Sequence, residues 1–424
     1  MTTFDATVSA AATGIVASAG APVRFRDRSR AFWRLLVHGA IWLTFTLGLY
    51  RFWLTTDIRR HLWSSTELAG ESFEYIGTAR ELLLGFLIAI VLLLPLNAAL
   101  FVVTLGLGEF GEIAAVMLSF VLLGALGQYA VYRARRYRLS RTVYRGLRFH
   151  QTGSAWRYAV CAIFWWLLIT LTAGLAYPFA QARLERFKMR NTFYGNLPGR
   201  FEGSGIRLFA GVLPLWLIAV VPFAAAIVLG VKGVDWSALA AIAGGDDLSN
   251  WVDASGLDRA VVYAGLTAVW LLLSFAVLYP IFQAMVLRWW AGGLRFGDIA
   301  VKSRLRTTQV YGVYGRFLWY AFLFTLVAGV AIGVGWFGLD KLTGEFDTEG
   351  DEIITTVAAL GAYVAVALGY ATIHQATVRL GLWRCLAESL DLSNLAALDH
   401  VSAAGDAASA LGEGLADALG AGGV

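Results

Sequence analysis

Long apolar runs alternate along the chain with short polar segments, most of them basic. Eight runs stand out, at residues 32–53, 82–105, 113–132, 156–179, 208–229, 261–287, 317–337 and 353–380. Each is close to the roughly 20 mostly apolar residues that a helix needs to cross a bilayer. None has the alternating, ten-residue pattern of a membrane barrel strand. The pattern therefore predicts an all-α fold, a polytopic membrane bundle of eight hydrophobic helices.

Charge decides which ends of the runs share a side. Lys and Arg gather at run ends and are nearly absent from three loops: 106–111 with Glu109, 232–258 with Asp235, Asp246, Asp247, Asp253 and Asp258, and 340–352 with Glu345, Asp347, Glu349 and Asp351. Basic loops stay cytoplasmic, so these three are expected outside, capping hairpins of runs two and three, five and six, seven and eight.

Runs one and four resist this scheme. Run four is preceded by Arg133, Arg135, Arg136, Arg138, Arg141, Arg145 and Arg148 and followed by Arg183, Arg186, Lys188, Arg190 and Arg200. Run one likewise lies between Arg24, Arg26, Arg28 and Arg30 and Arg51, Arg59 and Arg60. Either both cross against the charge bias, or both enter and leave on the cytoplasmic side and six spans remain. Thr44-Phe45-Thr46-Leu47-Gly48 and Thr170-Leu171-Thr172-Ala173-Gly174 favour re-entry, because a Thr/Gly break lets a helix bend where protein shields the freed backbone groups.

The order of features around run one recurs around run four. An Arg-Phe pair, an apolar run, a Gly-Leu-Tyr stretch that reads Gly-Leu-Ala-Tyr in the second copy, a basic helix and a Phe-Glu pair follow one another in both. This predicts internal repeats, one at about 24–132 and one at about 148–287, with a third hairpin at about 317–380. A second recurrence sets a Gln at the inner end of a run, four or five residues before an Arg: Gln128 and Arg133, Gln181 and Arg186, Gln283 and Arg288, Gln375 and Arg379. Such pairs serve either as interfacial anchors that fix helix depth or as the lining of a cytoplasmic vestibule.

The segment Arg148-Phe149-His150-Gln151-Thr152-Gly153, residues 171–178, and Arg190-Asn191-Thr192-Phe193-Tyr194-Gly195 resemble the YjgN-like family of uncharacterised bacterial inner-membrane proteins. The likeness runs from about Arg24 to Leu395. It departs at Gln151, where that family favours Gly, at the extra Ala176, and at Phe179 in place of Trp. The resemblance implies a multi-pass protein of the bacterial inner (cytoplasmic) membrane and carries no catalytic residues.

Composition agrees. The 424 residues are 58% hydrophobic and 15% charged, and the mean hydropathy is +0.65, far from a soluble average. Cys161 and Cys385 are too few for a disulfide framework. The net charge of +5 is placed at run ends, which fits the bilayer and its anionic headgroups at the cytoplasmic face, and not nucleic acid. Residues 1–23 are expected to be a disordered leader. Residues 396–424 are an Ala/Gly-rich tail carrying Asp406, Glu413 and Asp417, expected as a weakly helical or disordered end.

The five histidines lack metal-site spacing, and no phosphate loop or nucleophile elbow occurs. No catalytic, cofactor or metal site is expected, and no enzyme. His38 and His374, in or at the end of apolar runs, are the candidate proton-sensing groups. Two functions remain: a channel or transporter for a small solute, or a non-transporting scaffold that binds lipid or protein through its basic face. The first expects Gln128, Gln181, Gln283 and Gln375 to face one wet cavity.

Overall fold

A computed structural model describes residues 21–26, 28–106, 108–234, 257–343, 349–405 and 408–420. The leader up to residue 20 and most of the acidic loops, with Asp235, Asp246, Asp247, Asp253, Glu345 and Asp347, lie outside the described residues, as does Asp406.

The architecture rests on a ring of very short strands. These are β1 (Ala21–Pro22), β2 (Arg24–Phe25), β3 (Thr66–Leu68), β4 (Glu71–Ser72), β5 (Glu74–Tyr75), β6 (Thr142–Tyr144), β7 (Leu147–Gln151), β8 (Thr192–Tyr194), β9 (Leu197–Phe201), β10 (Leu294–Phe296), β11 (Ile299–Ser303) and β12 (Leu390–Ser393). Nine of them pair antiparallel in the order β1-β12-β11-β10-β9-β8-β7-β6-β5, and the other three in the order β2-β3-β4. Only Val23 separates β1 from β2, and only Phe73 separates β4 from β5. Both residues keep ladder bonds, Val23 N–H to the Leu390 carbonyl and Phe73 N–H to the Thr66 carbonyl, each at 3.1 Å. The two sheets therefore join at both ends, and the strands close on themselves without an edge.

Local sequence explains the strands. Thr66, Thr142 and Thr192 each open a strand with a buried, half-buried, buried pattern, placing Leu68, Tyr144 and Tyr194 in the same core. Each Thr hydroxyl also donates back to the helix before it, to the carbonyls of Leu62, Arg138 and Lys188 at 2.8–2.9 Å. Four two-residue turns follow, at Ala69-Gly70, Arg145-Gly146, Gly195-Asn196 and Gly297-Asp298, between directly paired residues. The first two have left-handed φ at both positions, the geometry that matches strand twist in tight hairpins. Inside the ring, Phe73, Tyr144, Tyr194, Phe149 and Phe296 form a chain of aromatic contacts with centroids 4.7–6.1 Å apart. The Tyr194 hydroxyl donates to the Tyr144 carbonyl and the Tyr144 hydroxyl to that of Leu68, both at 2.9 Å.

Between successive strand pairs, five pairs of helices leave the ring and return to it. They are α1 (Ser29–Phe45) with α2 (Arg51–Ser64), α3 (Ala79–Gly106) with α4 (Gly108–Ser140), α5 (Ala155–Leu171) with α6 (Tyr177–Arg190), α7 (Gly205–Gly233) with α8 (Leu257–Gly293), and α9 (Thr307–Thr343) with α10 (Glu349–His374). The last helix runs on through a π turn, Gln375–Arg379, into α11 (Leu380–Ser389). In every case the strands at the two ends of a pair are hydrogen-bonded neighbours: β2 with β3, β5 with β6, β7 with β8, β9 with β10, β11 with β12. Strand neighbours lie about 5 Å apart, so each helix pair must start and finish on the same face.

That geometry resolves runs one and four. Six helices, within α3, α4, α7, α8, α9 and the α10–α11 continuation, are long and apolar enough to cross a membrane. The helices α1 and α5 have 17 residues each, about 26 Å at 1.5 Å per residue. Each reverses at a left-handed pair, Leu47-Gly48 and Ala173-Gly174. The Gly N–H groups bond back to the carbonyls of Leu43 and Ile169 at 2.8 and 2.7 Å. Thr46 and Thr172 reinforce both turns, each donating to one helix carbonyl and accepting the backbone N–H four residues on. The tips carry bare apolar side chains, with Leu47 95% and Leu171 83% exposed. Short hairpins with apolar tips and both feet on one ring suit insertion partway into a bilayer.

Thr152 and Asn196 are exposed residues on either side of run four, so cysteines placed there in a chain lacking Cys161 and Cys385 should be labelled from the same side of the membrane. Labelling from opposite sides would contradict the ring.

Candidate functional site

Because all five helix pairs converge on one ring, their inner ends surround a common space. A cavity of about 570 Å³ lies there. Its walls are Arg51, Phe52, Thr55 and Arg59 of α2, Tyr279 and Gln283 of α8, and Tyr314 of α9. His374, Gln375, Val378 and Arg379 close it at the π turn. Leu82 of α3 and Leu382 of α11 add to the lining, and the tail, through its last helix α12 (Leu411–Ala418), contributes Glu413, Gly414 and Asp417.

Where it is described, the tail has a 3-10 turn at Leu395–His400 and then α12. After β12, Leu395, Leu398 and Val401 pack on the aromatic core of the ring, and Asn196 and Ser402 exchange two hydrogen bonds at 3.1 Å. The helix α12 then lies against α3 and α4, with Leu415 and Ala416 packed on Ala89, Ala130 and Ala134. Its glycines make the fit. A Cβ on Gly414 would stand 1.9 Å from the carbonyl carbon of Gly85, and one on Gly412 would stand 2.2 Å from Cβ of Arg133. Composition hid this, because the Ala and Gly that read as low complexity are what backbone-to-backbone packing requires.

Charge dominates the site. Arg59 is 1% exposed and Glu413 is 5% exposed, and the two form a hydrogen-bonded ion pair. Arg59 also donates to the Tyr75 hydroxyl at 3.0 Å, and Nε of Arg138 approaches the other Glu413 oxygen at 3.8 Å. Burial by itself pulls the Arg59 pKa down, but the charge and hydrogen bond of Glu413, aided by Tyr75, leave it above its ordinary value. Arg51 pairs with Asp417 at 2.7 Å. Burial raises the pKa of that carboxyl despite the opposing pull of Arg51. A second buried cluster sits on α6, where Glu185 pairs with Lys188 and accepts from the Trp290 indole at 3.2 Å. Burial lowers the Lys188 pKa, opposed first by Glu185.

The structure brings together some of the Gln and Arg residues singled out from sequence and separates others. Gln283, Gln375 and Arg379 line the cavity. The Arg379 guanidinium donates to Gln375 at 2.7 Å, and the Tyr314 hydroxyl donates to Gln283. Gln128 and Gln181 are half-buried within α4 and α6 and are not among the residues lining this cavity. Arg133 backs the glycines of α12. Arg186 donates to the Gly203 carbonyl at 3.0 Å. Arg288 bonds the Thr307 hydroxyl at 3.4 Å and borders a separate groove with Glu202, Arg207 and Arg295. His374 reaches the cavity, whereas His38 accepts a hydrogen bond from the Trp42 indole at 2.9 Å.

Sequence reasoning missed the pairing of Arg59 with Glu413. The two are 354 residues apart, and nothing local to either announces the other. Tyr279, which precedes Pro280, and Tyr314 likewise carry no local signal of a shared cavity.

A family model described as "Bacterial protein of unknown function (DUF898)" matches residues 21–418. The match begins at the first residue of β1 and ends at the last of α12, so it takes in both the ring and the docked tail. No curated protein and no solved structure matches the chain.

Removing one partner of a buried ion pair leaves an uncompensated charge, at a cost of about 3–5 kcal/mol. Glu413→Ala should therefore sharply lower the thermal unfolding midpoint, while Glu413→Gln, which keeps an acceptor for Arg59, should lower it less. Equal, small effects from both would show that the pair contributes little.

Proposed function

The chain belongs to the DUF898 family of bacterial proteins of unknown function, and from that premise we propose that it is a multi-pass protein of the inner membrane that passes a small solute. The ring then faces the cytoplasm, where the basic segments beside its strands meet anionic headgroups. The reading is non-enzymatic, and the recurrence of strand, helix, helix, strand is read as internal repetition of one unit.

One observation carries the reading. A polar cavity lies at the converging inner ends of helices long enough to span, lined by Gln283, Gln375, Tyr279, Tyr314 and three arginines. Intramembrane polar groups are costly and mark pathways more often than they stabilise a fold. Two of the four glutamines expected in a vestibule reach it. The π turn at Gln375–Arg379 adds support, since single π turns concentrate at functional sites.

The basic groove of Arg207, Arg288 and Arg295 favours a second reading, a non-transporting protein that holds anionic lipid or a protein partner. It expects salt-sensitive binding of phosphatidylglycerol, because exposed charge pairs are screened at high ionic strength.

Proteoliposomes separate the two. Vesicles bearing the protein should pass small polar solutes faster than protein-free vesicles. Losing two hydrogen bonds to a permeant, at about 0.7 kcal/mol each, makes Gln283→Leu with Gln375→Leu slow the passage about tenfold. No added permeability, with salt-sensitive lipid binding intact, would favour the second reading.

A further inference from the structure

The tail helix presents carboxylates to a cavity that is otherwise cationic. Among the described residues, the acidic side chains lining it are Glu413 and Asp417, and both belong to α12. Facing them are Arg51, Arg59 and Arg379, with Arg138 reaching Glu413 from behind at 3.8 Å. Even with α12 in place, positive charge is in excess. Arg379 has no ion pair among the described residues, its guanidinium bonds the neutral Gln375, and Arg59 and Arg138 lie close enough to repel it. Yet α12 is an addition to the fold and no part of its frame, since the ring is already closed at β12 before the tail begins. It is held by backbone contact at Gly412 and Gly414, by apolar packing of Leu415 and Ala416, and by the ion pairs of Glu413 and Asp417, which an incoming anion would replace.

We propose that this cavity is a binding site for an oxyanion, a carboxylate or phosphate group, and that α12 occupies it as a built-in competitor that leaves when the anion arrives. The proposal rests on the reading that the cavity admits a solute. Guanidinium groups match carboxylate and phosphate oxygens with paired, charge-assisted hydrogen bonds, and the Glu413 and Asp417 carboxylates already display that match from within the chain. A volume of about 570 Å³ lies within the usual range for small-molecule sites. A ligand that binds only the vacated cavity shifts the docked helix outward by mass action.

Alkylation of a buried cysteine tests this. In the full chain with Cys161→Ser and Cys385→Ser, Leu415→Cys places a thiol under α12, where Leu415 is 8% exposed. In phosphatidylcholine nanodiscs, succinate or inorganic phosphate should raise its rate of modification by a water-soluble maleimide about tenfold over chloride at equal ionic strength. Adding Arg379→Gln should abolish the increase. Phosphatidylglycerol nanodiscs form a second arm, and acceleration there without added solute identifies the oxyanion as a lipid headgroup. A measurement independent of Leu415→Cys uses the unmodified chain, whose thermal midpoint should rise by about 2 °C at an anion concentration ten times Kd.

The proposal is overturned if neither anion nor anionic lipid changes the alkylation rate or the midpoint, or if the response survives Arg379→Gln. Acceleration without solute flux would sink the transport reading and leave this one standing. Flux of uncharged solutes without any anion effect would do the reverse.

Discussion

Strands of two to five residues do not hold together alone, and here they hold because the ring they form has no edge. Closure is the constraint on which everything else depends. Every backbone ladder has a neighbour on each side, the aromatic chain from Phe73 to Phe296 fills the middle, and two-residue turns leave no slack in register. Residues at the end of the expected leader take part, since Ala21 pairs with Leu392 and Pro22 with Asp391 to complete the circle.

Closure also dictates how the helices are arranged. A helix pair whose feet are adjacent strands returns to the face it left, whatever its length. Length then separates the pairs: the long ones are long and apolar enough to cross a membrane, whereas α1 and α5 have 17 residues each. The same convergence creates the cavity, because helix ends held by a ring of strands leave a central space that side chains must fill. They fill it with charge. Arg59, Arg135, Arg138, Lys188 and Arg379 all approach this region, against Glu185 and Glu413. Buried charge is expensive unless it is paired, and among the described residues that pairing comes from Glu185 on α6 and from Glu413 and Asp417 on the tail.

The charge also has a positional regularity. Arg59, Arg135 and Glu185 each stand seven residues before the Thr that opens the next strand, Thr66, Thr142 and Thr192. Equivalent positions in three helix pairs thus carry the ionisable groups of the interior, with one sign reversed. That reversal lets Glu185 offset Lys188 and Arg135 on α6, while on α2 the offset for Arg59 comes from the tail.

The sequence by itself determined the membrane class and six runs long and apolar enough to span, and it left runs one and four open between crossing and re-entry, with re-entry favoured. These are one-dimensional properties: apolar length, positive charge at run ends, and a Thr/Gly break that bends a helix. Parts of the ring were legible too. Arg145-Gly146 and Gly195-Asn196 are hairpin signals flanked by Thr-Val-Tyr and Thr-Phe-Tyr, but the arginines around them mask three-residue strands in a pattern dominated by long apolar runs. Only the tertiary structure decided that these strands close, that Gln283 and Gln375 share a cavity while Gln128 and Gln181 lie apart, and that the Ala/Gly-rich tail docks with Glu413 against Arg59. Each of those is a contact between segments far apart in the chain, and no local pattern of residues encodes which distant backbone will fit against a glycine.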